Sequence, residues 1–203
     1  MLTAGNDAAM VERQLSAGRL ACPGCGGRLM RWGHGRERVI RAWNGIRWRL
    51  RPRRSRCAGC GRTHVLLPVR CLVRRADAAG VIGQALVLAA AGQGHRMVAE
   101  RLGRPAATVR GWLRRAAGRA GPLRSAFTAL ACGLDADPLL PAPAGSDLAD
   151  AVAAVAAAAG AAARRWGPAA SGLSPWELAS AVTMGALLAP GMSVALANAS
   201  CLW

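Results

Sequence analysis

Between Arg38 and Arg51 the chain reads RVIRAWNGIRWRLR, with apolar and basic positions alternating at a period of two. That alternation suits a half-buried strand pair, and Asn44-Gly45 at its centre is the strongest short signal for a hairpin with a type I′ turn. Folding about this dipeptide sets Trp43 opposite Ile46, Arg41 opposite Trp48 and Val39 opposite Leu50. This face is apolar apart from Arg41, whose guanidinium can stack on Trp48. The other face sets Ala42 opposite Arg47, Ile40 opposite Arg49 and Arg38 opposite Arg51, and is mostly basic. RTHVLL, from Arg62 to Leu67, predicts a third strand.

After Arg75 the period becomes helical. Asp77 is expected to cap a helix running to about Ala91, with Val81, Ile82, Ala85, Leu86 and Ala89 on one stripe. GQGH breaks the pattern. A short helix RMVAERL follows, packing through Val98, Ala99 and Leu102, and Gly103 makes a tight turn. Pro105 then opens a third helix, PAATVRGWLRRAAGR. On that helix Ala106, Val109, Trp112, Leu113 and Ala116 point inward, and Ala107, Arg110, Gly111, Arg114 and Arg115 point outward. Arg104, just before Pro105, is no N-cap residue, so the helix start lacks a side-chain cap. Two short helices joined by a glycine turn, the second rich in arginine, fit a helix-turn-helix. In that arrangement Ala107 and Gly111 admit the helix to a groove floor, and Arg110 and Arg114 reach guanine O6 and N7. Arg104 and Arg115 are placed for phosphates, and Thr108 joins the contact set.

Further on, GLDADPLLPAPAGSD reads as a linker, and LADAVAAVAAAAGAAARRW as a strong helix former with little bulk to pack. Ser174-Pro175-Trp176-Glu177 predicts another helix start. From Leu178 to Trp203 there is no charge, a length that raises a membrane span. Pro190-Gly191 divides this stretch, and it is rich in Ala, Gly, Ser and Asn. It is therefore expected to form a buried helical hairpin or a self-association surface supporting a homo-oligomer, and membrane association is disfavoured.

The cysteines change the picture. Cys22, Cys25, Cys57 and Cys60 form C-x2-C-x31-C-x2-C, each pair followed by a glycine that permits a sharp turn. Four thiolates suit tetrahedral Zn²⁺. Paired cysteines around a hairpin, with a third strand, are the layout of a zinc ribbon. The rival reading of Cys22-Pro23-Gly24-Cys25 is a redox turn, which needs a βαβ setting with the motif opening a helix. Gly-Gly-Arg and then a hairpin follow instead. His34 and His64 read as surface or strand histidines, and Cys71, Cys132 and Cys201 as small buried hydrophobes.

Charge narrows the partners. All 27 basic residues are arginine, against 10 acidic ones, for a net +17. Only Arg13, Arg124, Arg164 and Arg165 lie outside Arg19–Arg119. That central segment holds the other 23 against Glu37, Asp77 and Glu100, a net of +20. One basic block between nearly neutral flanks is the footprint of a nucleic-acid-binding module, with double-stranded DNA as the expected partner. The hairpin arginines Arg47, Arg49 and Arg51 join the expected contact set. No secretory pattern opens the chain, because Asp7, Glu12 and Arg13 interrupt any apolar core, so a cytoplasmic setting is expected.

The combination of CPGCGG, RRSRCAGCGRTHVLLP and HRMVAERLGRPAATVRGWLRR resembles the amino-terminal half of certain bacterial insertion-sequence transposases. More closely, it is similar to an uncharacterised family of short helix-turn-helix proteins from high-GC bacteria. The likeness covers roughly residues 20–120. It implies zinc on the four cysteines and DNA reading by the helix from Pro105. Such transposases continue into an RNase H-type domain with three metal-holding carboxylates. Only 84 residues follow here, and their acids (Asp135, Asp137, Asp147, Asp150, Glu177) sit mostly in a loop-like stretch, so no catalytic activity is carried over.

The expected molecule is thus mainly α with a small β module. Its parts are an N-terminal arm (1–19), a zinc ribbon (20–74), a helix-turn-helix (75–120), a linker (121–147) and an Ala-rich helical region (148–203). It is expected to bind DNA without being an enzyme, as a transcriptional regulator or a transposase-derived protein. The alternatives are a DNA-recognition subunit of a transposase system and a protein- or RNA-interaction module.

Overall fold

The computed structural model describes residues 1–167 and 172–189. In chain order it runs β1 (Leu2–Ala4), α1 (Ala8–Ser16), β2 (Leu29–His34), β3 (Arg38–Arg41), β4 (Arg47–Leu50), β5 (Arg53–Cys57) and β6 (Thr63–Pro68). Then come α2 (Ala79–Ala90), α3 (His95–Leu102), α4 (Ala106–Ala117), α5 (Ala120–Leu134), α6 (Asp147–Trp166) and α7 (Pro175–Val182). The chain is mainly helical with a small β part, as its patterning implies. Pro190-Gly191, Cys201 and most of the uncharged C-terminal stretch lie outside the described residues. Among the described residues no helix is long and apolar enough to cross a membrane.

The β part is two sheets. One has the order β1-β6-β5-β2, with β1 parallel to β6 and the other pairs antiparallel. The strand expected from RTHVLL is β6, but it joins this sheet and not the hairpin. Residues 1–19, expected as an arm, supply an edge strand and a helix. Leu2, Thr3 and Ala4 are all buried. Asp7 caps α1 by accepting from the Ala9 amide at 2.8 Å. Val11 and Leu15 then bury against Leu2, Leu20, Leu29 and Leu66. Glu12 fixes the helix to the sheet through Arg53 at 2.7 Å and Arg31 at 3.1 Å.

The second sheet is the β3–β4 hairpin, and its register departs from expectation by one residue. Asn44 (φ 50°) and Gly45 (φ 73°) do form the tight turn, closed by the Ile46 amide on the Trp43 carbonyl at 2.8 Å. However, Ala42, not Trp43, donates to the Ile46 carbonyl, so the first strand carries one extra residue there. Such a bulge shifts every later pair. Ile40 pairs with Trp48 and Arg38 with Leu50, while Val39 faces Arg49 and Arg41 faces Arg47. The shift unites Ile40 and Leu50 on one face, and both bury in the helical core. Trp43 and Ile46 are left exposed at the tip. Trp48 is stacked by Arg70 at 4.1 Å, and not by Arg41.

The helices α2, α3 and α4 fall close to the expected bounds. Val81, Ile82, Ala85 and Leu86 bury, as do Val98, Ala99, Val109, Trp112 and Ala116. Ala106 stays exposed. Gly103 takes the left-handed conformation (φ 60°) that ends α3. Pro105 occupies the cap position of α4 and not its first turn. Asp77 does not cap α2. That position belongs to Ala78, which makes no side-chain cap, and Asp77 is buried in a different role described below.

Residues 121–134, expected within a linker, lie in α5 (Ala120–Leu134), which packs along α6 through Leu123, Phe127 and Ala131. The small side chains of α6 are what permit this. Ala151, Ala154, Ala158, Ala161 and Ala162 are buried, so the two backbones approach closely. Cys132, expected to be buried, is exposed on α5, whereas Cys71 is buried as expected. The start of α7 is a complete capping box: Ser174 Oγ accepts from the Glu177 amide, and Glu177 Oε2 accepts from the Ser174 amide. Trp176 then lies on α2 at Gly83. A Cβ at Gly83 would stand 2.0 Å from the indole. Gly83→Ala should therefore cost about 1–3 kcal/mol by overpacking. Thermal unfolding of Gly83→Ala, Trp176→Ala and the double variant should show costs well below additive, because the second change removes the clash made by the first.

Candidate metal centre and nucleic-acid interface

The four cysteines converge from two similar turns. In the first, Cys22 donates its amide to the Gly27 carbonyl and Gly26 returns to Cys22; in the second, Cys57 donates to Arg62 and Gly61 returns to Cys57. Gly26 (φ 72°) and Gly61 (φ 70°) are both left-handed. Gly27 is needed for space, since a Cβ there would stand 3.0 Å from Cys57 Sγ and 3.3 Å from Cys25 Sγ. All four Sγ atoms lie within 4.8 Å of one another, with Cys25 and Cys57 at 3.4 Å and Cys22 and Cys60 at 3.8 Å. A tetrahedron with metal–sulfur bonds of ~2.3 Å has edges of roughly 3.8 Å. The cluster is therefore a Cys₄ group positioned to bind a metal ion, with dimensions compatible with zinc.

The surroundings act on two of the thiols in opposite directions. The Cys60 amide, with the Cys25 thiol and the Gly59 amide, holds Cys57 down at about 6 against the effect of burial. The Gly27 amide also lowers Cys25, but the neighbouring thiols of Cys57 and Cys60 outweigh it and push Cys25 up to about 11. A cation at the centre removes that mutual penalty. His64 is a strand histidine, one of the two expected alternatives, but it is not at the surface. It is buried on β6, its Nε2 lies 3.4 Å from Cys22 Sγ, and burial lowers its pKa, which favours the neutral imidazole. A neutral imidazole there can donate to the Cys22 thiolate, the kind of support that orients a ligand. The Cys22 turn leads into strand β2 and opens no helix, so the setting of a redox turn is missing.

The hairpin and the α3–α4 pair are joined by one buried carboxylate. Asp77 is 3 % exposed. Arg41 Nε and Nη2 donate to its two oxygens at 3.0 and 2.6 Å, and Arg104 Nε donates to Oδ1 at 2.7 Å. Arg104 Nη2 also donates to the Ala42 carbonyl at 2.7 Å, and its Nη1 to the carbonyls of Leu102 and Gly103 at 3.2 and 3.1 Å. Arg104, expected on phosphate, is thus an internal fastener and leaves the contact set. Backbone bonds reinforce the joint: Arg41 donates to Ala76, and Ala78 donates to Arg41.

Around this joint lie the other expected contact residues. Ala107, Arg110, Arg114 and Arg115 are exposed on α4, while Thr108 and Gly111 are half-buried. Arg115 folds back to the Gly111 carbonyl at 2.9 Å and covers that glycine, so Gly111 is not an open gap in the helix face. Arg47, Arg49 and Arg51 are exposed on the hairpin, Arg49 beside Glu37 at 3.2 Å. A cleft of about 510 Å³ runs between the hairpin tip and the α3–α4 turn, lined by Trp43, Ile46, Arg47, Arg101 and Pro105 among others. No family model, curated protein or solved structure matches the chain.

Two outcomes follow. Cys57→Ser should abolish stoichiometric metal binding and unfold the Cys₄ sheet while leaving α2–α6 intact. Metal analysis and circular dichroism of the purified protein check this. Asp77→Ala leaves Arg104 buried without its carboxylate and should cost about 3–5 kcal/mol, read as a lowered denaturation midpoint.

Proposed function

We propose that this chain is a zinc-containing protein that binds double-stranded DNA, with α3 and α4 acting as a helix-turn-helix and the Cys₄ sheet as a zinc ribbon. The supporting observation is the Asp77 joint, which holds two arginine-bearing surfaces, α4 and the β3–β4 hairpin, in fixed relation on the segment of net +20. The 12 residues of α4 span about 18 Å, a length suited to a major groove. Arg110 and Arg114 are the base-reading residues of this proposal, and Arg47, Arg49 and Arg51 its phosphate contacts. Arg115 meets phosphate after release from Gly111.

The resemblance to insertion-sequence transposases supports a role as a transcriptional regulator or transposase-derived DNA-binding protein. The role is proposed to be non-catalytic. Two of the C-terminal carboxylates are engaged by arginine, Asp135 with Arg164 at 2.6 Å and Asp150 with Arg124 at 3.0 Å. Arg164 accordingly holds the Asp135 carboxyl below its usual range.

Selection of bound fragments from random duplex DNA should yield a preferred site. Arg110→Ala should then weaken that site by about 1–3 kcal/mol and relax its preference. Arg49→Ala should weaken all duplexes alike and reduce the salt slope by about one unit. Titrations with matched and scrambled duplexes over a salt series distinguish the two. Equal loss of both duplexes on Arg110→Ala would remove α4 as the reader.

A further inference from the structure

The four-stranded sheet is covered unequally. Residues alternate between its faces. One face carries Arg31, Ser55, His64 and Leu66 and lies under α1, to which Arg31 bonds through Glu12 and Ser16. On the opposite face, α7 and the turn after it cover the β1 end: Thr3 Oγ1 bonds the Ala181 carbonyl, and Leu67 packs at Gly185. Among the described residues, no element covers the β2–β5 end of that face. Met30 and Trp32 are 41 % and 50 % exposed there, beside Arg54 and Arg56.

Trp32 is placed by two features. The β2–β5 register shifts between Arg31 and Gly33, where Gly33 has φ 103°, so Trp32 sits in a bulge that re-aims its side chain. Arg56 lies over its ring, 4.8 Å from the centroid, and is itself anchored by donating to the Gly61 carbonyl at 3.2 Å. One face of a half-exposed indole is thus backed by a fixed cation. Strands β2, β5 and β6 contain no acidic residue. An exposed aromatic ring on a cationic sheet face, with no carboxylate on the surrounding strands, matches the chemistry of unpaired nucleotides, whose bases stack while their phosphates meet arginine.

We propose that this face is a second nucleic-acid site, distinct from α4, which binds single-stranded DNA by stacking a base on Trp32 with Arg54 and Arg56 against the backbone. The proposal does not depend on duplex reading by α4. The metal-loaded full chain is titrated with labelled dT15, with an abasic oligonucleotide of the same length, and with a 15-base-pair duplex. The parent should bind dT15 about tenfold more tightly than the abasic strand. Trp32→Ala should remove that difference and leave duplex affinity unchanged, while Trp32→Phe should keep most of it. Arg110→Ala should leave dT15 binding intact even if duplex binding is lost, which separates failure of this site from failure of the α4 reading. Equal affinity of the parent for dT15 and the abasic strand would overturn the proposal. So would unaltered discrimination in Trp32→Ala, or equal loss of duplex and dT15 in that variant.

Discussion

A buried carboxylate in a chain of net +17 organises this molecule. Asp77 lies at the entrance to the helical part and takes hydrogen bonds from two guanidinium groups that arrive from different elements. Breaking such a group apart is expensive because each partner would be left charged and partly dehydrated. The hairpin, the start of α2 and the α3–α4 turn are therefore one unit. Without this joint, the hairpin would hold to the helices mainly through Ile40 and Leu50.

The apolar side chains divide between two cores. The Cys₄ sheet has its own small core, built from α1, Leu29 and Leu66 and reaching the buried thiols of Cys22 and Cys57. The hairpin, although inserted between the two cysteine pairs in sequence, gives its apolar side chains to the helical core. The long interval between the cysteine pairs is thereby accounted for: it contains an element that belongs structurally elsewhere. Order in the sheet, which carries the Cys₄ group, and order in the hairpin, which packs on the helices, thus rest on different interactions.

What could be read from the sequence was what is decided locally. The cysteine spacing, the helical stripe of α2, the glycine turn at Gly103 and the helix start at Ser174-Pro175 all depend on residues a few positions apart, and all appear as expected. The failures share a cause in distant partners. Asp77 looked like a cap because an Asp stands just before an apolar stripe, but Arg41 and Arg104 outcompete the helix for its oxygens. The hairpin turn was legible, whereas the bulge at Ala42 depends on which register lets Ile40 and Leu50 meet the core. β1 is three residues long and pairs with a strand far along the chain, so it leaves no periodic trace. Gly83 is an unremarkable helix residue until Trp176 arrives from α7.

All 27 basic residues of the chain are arginine, and at most exposed positions lysine would carry the same charge. Arg104 is different. Its planar fork reaches Asp77 on one side and the Ala42 carbonyl on another, and it also touches the two carbonyls that end α3. A lysine ammonium is a single point on a flexible stem and cannot span those directions together. A preference for arginine that is neutral across much of the surface is at this site an architectural commitment. Lysine could stand at many of the other arginine positions without loss of charge, but not at this one.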